Sequence, residues 1–285
     1  MSTHAESAAE HCQRLVRDFD RDRYLASLFV PDSLRPHVLA LYAFNVELAR
    51  IREQVSEPGL GEIRLQWWRD AIEGIFSAAT PEAPVAQALV HAIDQADLPR
   101  HAFLQMVEAR RFDLYDDPMP DMATLEGYLG ETSSALIQLA GLVLAGPDMR
   151  NGAAASGLAG VAYGMTGLMR SIPIHRARGQ CYMPADHLAS YGSSPQQVLS
   201  GRLDEPTGLA LAELRRHALR RLGEARERHA EVPAKALPAF LPVCLMDLYL
   251  DRLGRKGFNP LRSVSEVSQM RKQLRLLRFA YSERF

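Results

Sequence analysis

Apolar positions along this chain recur at the three- and four-residue spacing of helices, and no alternating run rich in Val, Ile and Thr is long enough to mark a strand. The pattern predicts an all-α fold. Asp32 or Ser33 is placed to cap a long helix reaching about Gln54. Its Val38, Leu39, Leu41, Tyr42, Phe44, Val46, Leu48 and Ile51 wrap most of the circumference, as in a helix buried on all sides. Pro58-Gly59 interrupts the chain. A second helix over 63–78 then carries Trp67 and Trp68, whose side chains diverge by about 100°, so at least one faces inward. Further helices are expected over 84–96, 99–115, 122–145, 151–170, 206–230 and 238–254. Between them lie the turn-forming stretches DDPMPD, AGPDMRNG, 171–184, YGSSPQ and GRKGFNP. No repeat or low-complexity tract divides the series, so a single domain over 1–285 is expected.

Composition leaves that picture intact. Hydrophobic content of 47% with 24% charged residues is the ordinary globular balance, and a net charge of −1 lacks the basic footprint of a nucleic-acid binder. Cys12, Cys181 and Cys244 are too few and too scattered for a disulfide framework. The N-terminal stretch is polar and acidic where a secretory signal needs an apolar core, and no run of about eighteen apolar residues follows. A cytoplasmic protein is expected, at most peripheral on the inner face of a membrane. The segment 263–285 sets Met270, Leu274, Leu277 and Phe279 among Arg271, Lys272, Arg275 and Arg278. It reads as a basic amphipathic helix that either packs on the bundle or contacts a membrane or partner.

The chemistry concentrates in residues 160–184, GVAYGMTGLMRSIPIHRARGQCYMP. Gly160, Ala162, Thr166, Arg170, Arg178, Gly179, Tyr182 and Pro184 resemble, without a gap, the second aspartate-rich segment of the squalene/phytoene synthase family. That segment carries two aspartates four residues apart, which puts two carboxylates on one helix face, a pair suited to magnesium and a departing diphosphate. The matching positions here are Ser171 and His175. Pro173 between them is expected to end or kink the helix. Tyr42-Ala43-Phe44 resembles the lead into the first aspartate-rich segment, whose three acidic positions become Ala49, Arg50 and Glu53. Further similarity lies in Arg23-Tyr24-Leu25-Ala26-Ser27 with Pro31, in Arg64-Leu65 with Trp67-Trp68, and in AFLPVCLMDLYLDRLGRKGFNP over 239–260. It spans about 20–260 and implies the helical isoprenoid-synthase fold, a bundle with a central cavity.

A narrower similarity, AFNVELARIREQVSEPGLGEIRLQWW over 43–68, is to the branch of this family that comprises respiratory complex I assembly factors and their bacterial relatives, which also lacks the aspartates. It implies a non-catalytic protein with no cofactor and no metal, acting with subunits of a membrane respiratory complex. Two alternatives stand beside it. One is a magnesium-dependent head-to-head prenyltransferase, in which Glu47 and Glu53 replace two acidic clusters. The other is a carrier of an isoprenoid or lipid phosphate, held by Arg50, Arg52, Arg170, Arg176 and Arg178 without a metal. Against that, the arginines can simply pair with Glu47, Glu53 or Asp70. Tyr42, Tyr163 and Tyr182 fit either a cavity lining or the core. Gly160 and Gly164 admit either a close helix contact or a ligand. His175 and Glu53 form a zinc or proton-transfer pair only if they share a cavity, and no third zinc donor has suitable spacing.

Overall fold

The computed structural model describes residues 6–282 and 285; Glu283 and Arg284 of the predicted C-terminal segment lie outside the described residues, as do residues 1–5. Among the described residues there is no strand. The helices are α1 (Ala8–Phe19), α2 (Arg21–Ser27), α3 (Arg35–Ala49), α4 (Ile51–Gln54), α5 (Pro58–Phe76), α6 (Pro84–Ala96), α7 (Arg100–Ala109), α8 (Met122–Leu129) and α9 (Ala135–Ala145). There follow α10 (Ala153–Arg170), α11 (Ile172–Ala177), α12 (Ala185–Ser190), α13 (Pro195–Ser200), α14 (Glu205–Glu227), α15 (Leu237–Phe240), α16 (Met246–Leu253) and α17 (Gln269–Ser282). They group into two compact units, neither continuous in sequence. The first comprises residues up to Tyr115, Ala135–Ala153 and Val232–Leu241, and the second comprises Asp116–Ser134, Ala154–Glu231 and Pro242–Phe285.

The first unit is built on α3, which is apolar around its whole circumference and is covered by α1, α6 and α9. Phe44 projects from it onto Trp68 of α5, ring centroids 5.0 Å apart, and onto Phe103 of α7 at 5.7 Å. The tryptophan pair divides as helix geometry requires, with Trp68 4% exposed and Trp67 48%. Neither Asp32 nor Ser33 caps α3. The helix starts at Arg35 with a proline in its first turn, where the missing N–H costs nothing, while Asp32 pairs with Arg35 at 2.7 Å. Arg35 is itself occupied, donating to the carbonyls of Ser27, Leu28 and Val30. The helix also stops short of Gln54, with Arg50 forming the break before α4. Pro58 opens α5 rather than interrupting it. Helix α1 has no counterpart in the periodicity reading, although Ser7 and Glu10 form a reciprocal capping box at its start.

The second unit is organised on α14, which is capped by Asp204, packs against α12 and α16, and buries Leu211, Leu214, Ala218, Leu222 and Ala225. The stretch containing YGSSPQ yields a short helix, α13, which Ser194 caps and which packs against α11. The expected helix over 122–145 is present, with one wide π turn at 130–134. A window within the helical run 122–170 is long and apolar enough to cross a membrane by composition, and 61% of it is buried in the fold.

Candidate functional site

The first degenerate segment lies at the end of α3 and in α4. Tyr42 is buried, with the Arg23 guanidinium 5.6 Å from its ring centroid, and burial pushes its phenol up to about 12. Arg23 is held in turn by Asp20 at 2.7 Å. Ala49 closes α3. Arg50, in the break, lays its guanidinium 3.4 Å from the centroid of the Phe19 ring and brings Nε within 3.8 Å of the Glu53 carboxylate. Glu47 is half-buried, close enough to Cys12 that its charge adds to burial in pushing that thiol up to about 12. Arg52 is half-buried beside Glu53 in sequence.

The second segment lies on α10, α11 and the turn after them. Helix α10 ends at Arg170, and Ser171 forms the break, its carbonyl accepting from the backbone N–H groups of Ile174 and His175 at 2.9 Å each. Pro173 then falls in the first turn of α11, so the interruption expected from it is present, two residues ahead of the proline. His175 packs its ring on Tyr182 at 4.7 Å, and Tyr182 in turn faces Tyr128 at 6.0 Å. Arg170 donates from Nε to the Ser265 carbonyl at 3.2 Å and lies 3.4 Å from the centroid of the fully buried Tyr249 ring. Arg176 donates to the carbonyls of Leu261 (3.1 Å) and Leu199 (3.2 Å). Tyr163 and Arg178 are half-buried. Glu53 and His175 fall in different units; the neighbours they show within their own are Arg50 and Tyr182.

These placements decide between alternatives that the sequence leaves open. Of the suggested carboxylate partners for the arginines, Glu53 does pair with Arg50, but Asp70 accepts from Gln66, and both Arg170 and Arg176 engage backbone carbonyls. The two arginines act as ties from α10 and α11 to the segment 261–265. The glycine pair on α10 serves close packing. A Cβ on Gly160 would overlap the backbone of Ser134, and one on Gly164 would come within 2.6 Å of Leu129 Cδ2.

Family resemblance brings magnesium into question, and the donors do not fit it. Magnesium takes oxygen ligands in octahedral order. Ala49 offers none, Arg50 places a cation against the one remaining carboxylate, and His175 is a nitrogen donor whose ring packs at a tilt against a tyrosine. A fixed positive charge a few ångströms from a divalent cation is repulsive by several kcal/mol at intermediate dielectric. Among the described residues no group of three or more His, Cys, Asp or Glu is placed to hold a metal ion.

Periodicity missed three polar clusters. In the first unit Asn45 accepts from Arg110 at 3.1 Å, and Arg110 also pairs with the buried Asp113 at 3.1 Å. An asparagine inside the otherwise apolar run Val38–Val46 was the available signal. In the second unit Glu126 accepts from Arg221 through both oxygens (2.7 and 3.0 Å) and lies 2.6 Å from His217 Nε2. Burial raises the Glu126 carboxyl, but Arg221 and His217 outweigh it and hold the group below its usual range. Asp247 gathers Arg226 and Arg275, and Arg226 also donates to the Phe285 carbonyl at 2.9 Å. Apart from the local pair Arg110–Asp113, these partners lie 21 to 95 residues apart, beyond any local pattern.

An all-α fold with two segments in register with the aspartate-rich ones defines the class. A match to the squalene/phytoene synthase family runs over residues 16–278, and the chain belongs to that family. Over 249 residues it is 34% identical to the NADH dehydrogenase (ubiquinone) complex I assembly factor 6 of Rattus norvegicus, covering 87% of this chain and 74% of that protein. It is also 26% identical over 280 residues to the presqualene diphosphate synthase of Sinorhizobium fredii, covering 96% and 98%. Among solved structures, the squalene synthase HpnC from Alicyclobacillus acidocaldarius superposes with a TM-score of 0.78 at 24% identity, over 89% of this chain and 95% of that one, a likeness of fold.

Proposed function

We propose that this chain is a non-catalytic member of its family that acts in the assembly of a membrane respiratory complex, from the cytoplasm at the inner face of the membrane. One observation carries the reading. The chain is similar over most of its length to a complex I assembly factor, and where the broader family has paired aspartates it has Ala49 and Arg50 in one segment and Ser171 and His175 in the other. An ionising prenyl diphosphate needs divalent cations to accept its leaving group, and these side chains supply repulsion and a nitrogen donor instead. No step through magnesium follows from them. Affinity capture of the tagged chain from membranes is expected to recover subunits of the respiratory NADH dehydrogenase. Repeated failure to recover any respiratory subunit would count against the assembly role.

A prenyltransferase is the second reading, favoured by similarity to presqualene diphosphate synthase over nearly the whole of both chains. Incubation with farnesyl or geranylgeranyl diphosphate and magnesium separates the two. Unreacted substrate is expected here, whereas a C30 or C40 product would establish the enzyme. The carrier reading keeps less support, because Arg170 and Arg176 already donate to protein carbonyls. A prenyl diphosphate that raised the melting temperature would revive it.

A further inference from the structure

Helix α17 is apolar on two opposite sides. One side, with Leu276 and Phe279, is buried, and it is fastened by Lys272 over the Tyr249 ring at 5.2 Å and by Arg275, which donates to the Cys244 carbonyl at 3.1 Å and pairs with Asp247. The opposite side carries Met270, Leu274, Leu277 and Tyr281, a 4-3-4 spacing that sets four side chains in one line along the helix. They are 69%, 59%, 56% and 94% exposed. Packing a terminal helix requires one apolar face; the fold gives no use to a second. Arg271 and Arg278, seven residues apart and so on one flank of the line, are exposed and make no ion pair among the described residues. The nearest acid before them, Glu266, precedes the helix.

We propose that this line of side chains seats α17 on the surface of an anionic lipid bilayer, with Met270, Leu274, Leu277 and Tyr281 at the headgroup–acyl boundary and Arg271 and Arg278 on lipid phosphates. Charge and shape select that occupant. A second copy of the chain would set the same two arginines against their equivalents, like charge against like. The line is also a bare ridge, and a protein partner must bring a groove of matching shape, whereas acyl chains close around an isolated ridge. The inference rests on α17 alone and not on the assembly reading.

Flotation of the full chain with vesicles tests it. Recovery is expected with phosphatidylcholine vesicles containing phosphatidylglycerol, and little with phosphatidylcholine alone. At about 1 kcal/mol for each basic residue near the surface, Arg271→Gln with Arg278→Gln should weaken partitioning about 30-fold. Leu274→Glu with Leu277→Glu should abolish it at any salt concentration. Both pairs are exposed, so circular dichroism and the melting temperature should stay at wild-type values. Unchanged flotation of the Leu274→Glu, Leu277→Glu variant would overturn the proposal, as would equal binding to neutral vesicles. So would absence of flotation together with a dimer in sedimentation that the same variant dissociates, which would assign the ridge to a second copy.

Discussion

Three glycines on α10 offer the same substitution in three settings, and the expected effects differ in sign. Gly→Ala inside a helix gains up to about 1 kcal/mol of propensity, wherever it is made. At Gly167 nothing lies within 4 Å of the new methyl, so that gain should appear undiminished. At Gly160 the methyl meets the backbone of Ser134, which the π turn at 130–134 carries against α10 and whose Oγ donates to the Gly157 carbonyl at 2.7 Å. Backbone cannot rotate aside. The overpacking cost, about 1–3 kcal/mol in tight cores and at its upper end here, should outweigh the propensity gain and leave a net loss of about 2 kcal/mol. At Gly164 the obstacles are the ends of Leu129 and Ser133, which can rotate, so the change should be near zero. Thermal melts read the series directly. At about 2–4 °C for each kcal/mol in a chain of this order of size, Gly160→Ala should melt about 4–8 °C lower and Gly167→Ala slightly higher than wild type. Gly160→Ala melting at or above the wild-type temperature would refute the packing role of this glycine.

Three other outcomes follow from single observations. Arg176→Ala removes two charged hydrogen bonds to the carbonyls of Leu261 and Leu199, so the urea midpoint should fall by the equivalent of about 2 kcal/mol, and an unchanged midpoint would refute the tie. Burial pushes the Cys12 and Cys181 thiols up to about 12 and about 11, so neither is a thiolate near neutral pH; Ellman's reagent should titrate them only after denaturation, and fast labelling of the native chain would contradict their burial. Glu126, held below its ordinary 4.5 by Arg221 and His217, contributes stability that is present above that pH and lost as pH falls below it. Glu126→Gln should therefore flatten the acid limb of the stability curve, and an unchanged limb would show that the cluster contributes nothing.

Much of the architecture was legible because it rests on local pattern. All-round apolarity in Val38–Val46 foretold a central helix, the 100° divergence at Trp67 and Trp68 foretold one buried ring, and Pro173 foretold the break between α10 and α11. What failed to show were competitions that sequence spacing does not encode. Asp32 is a good cap by type, but Arg35 takes its carboxylate and Pro36 lets the helix begin without one. At the candidate site the loss of carboxylates could be read directly, whereas the fate of the cations could not. Arg170 and Arg176 look like phosphate ligands until the carbonyls of Ser265 and Leu261, 95 and 85 residues downstream, are seen to occupy them. The sequence also set Met270, Leu274 and Leu277 together with Phe279 as the apolar side of α17, but Phe279 is buried on the opposite side while the other three, with Tyr281, face outward, a division that depends on the packing of the helix and not on its composition.

The order in which the segments are strung has a bearing on biosynthesis. As the chain leaves the ribosome, the early bundle still lacks 135–153, which follows the first short stretch of the other bundle, and 232–241, which emerges only after most of that bundle has been made. Neither can be completed by its own contiguous stretch, so no single cut of the polypeptide yields an autonomous half, and truncation between 116 and 241 would strand apolar surface in both at once.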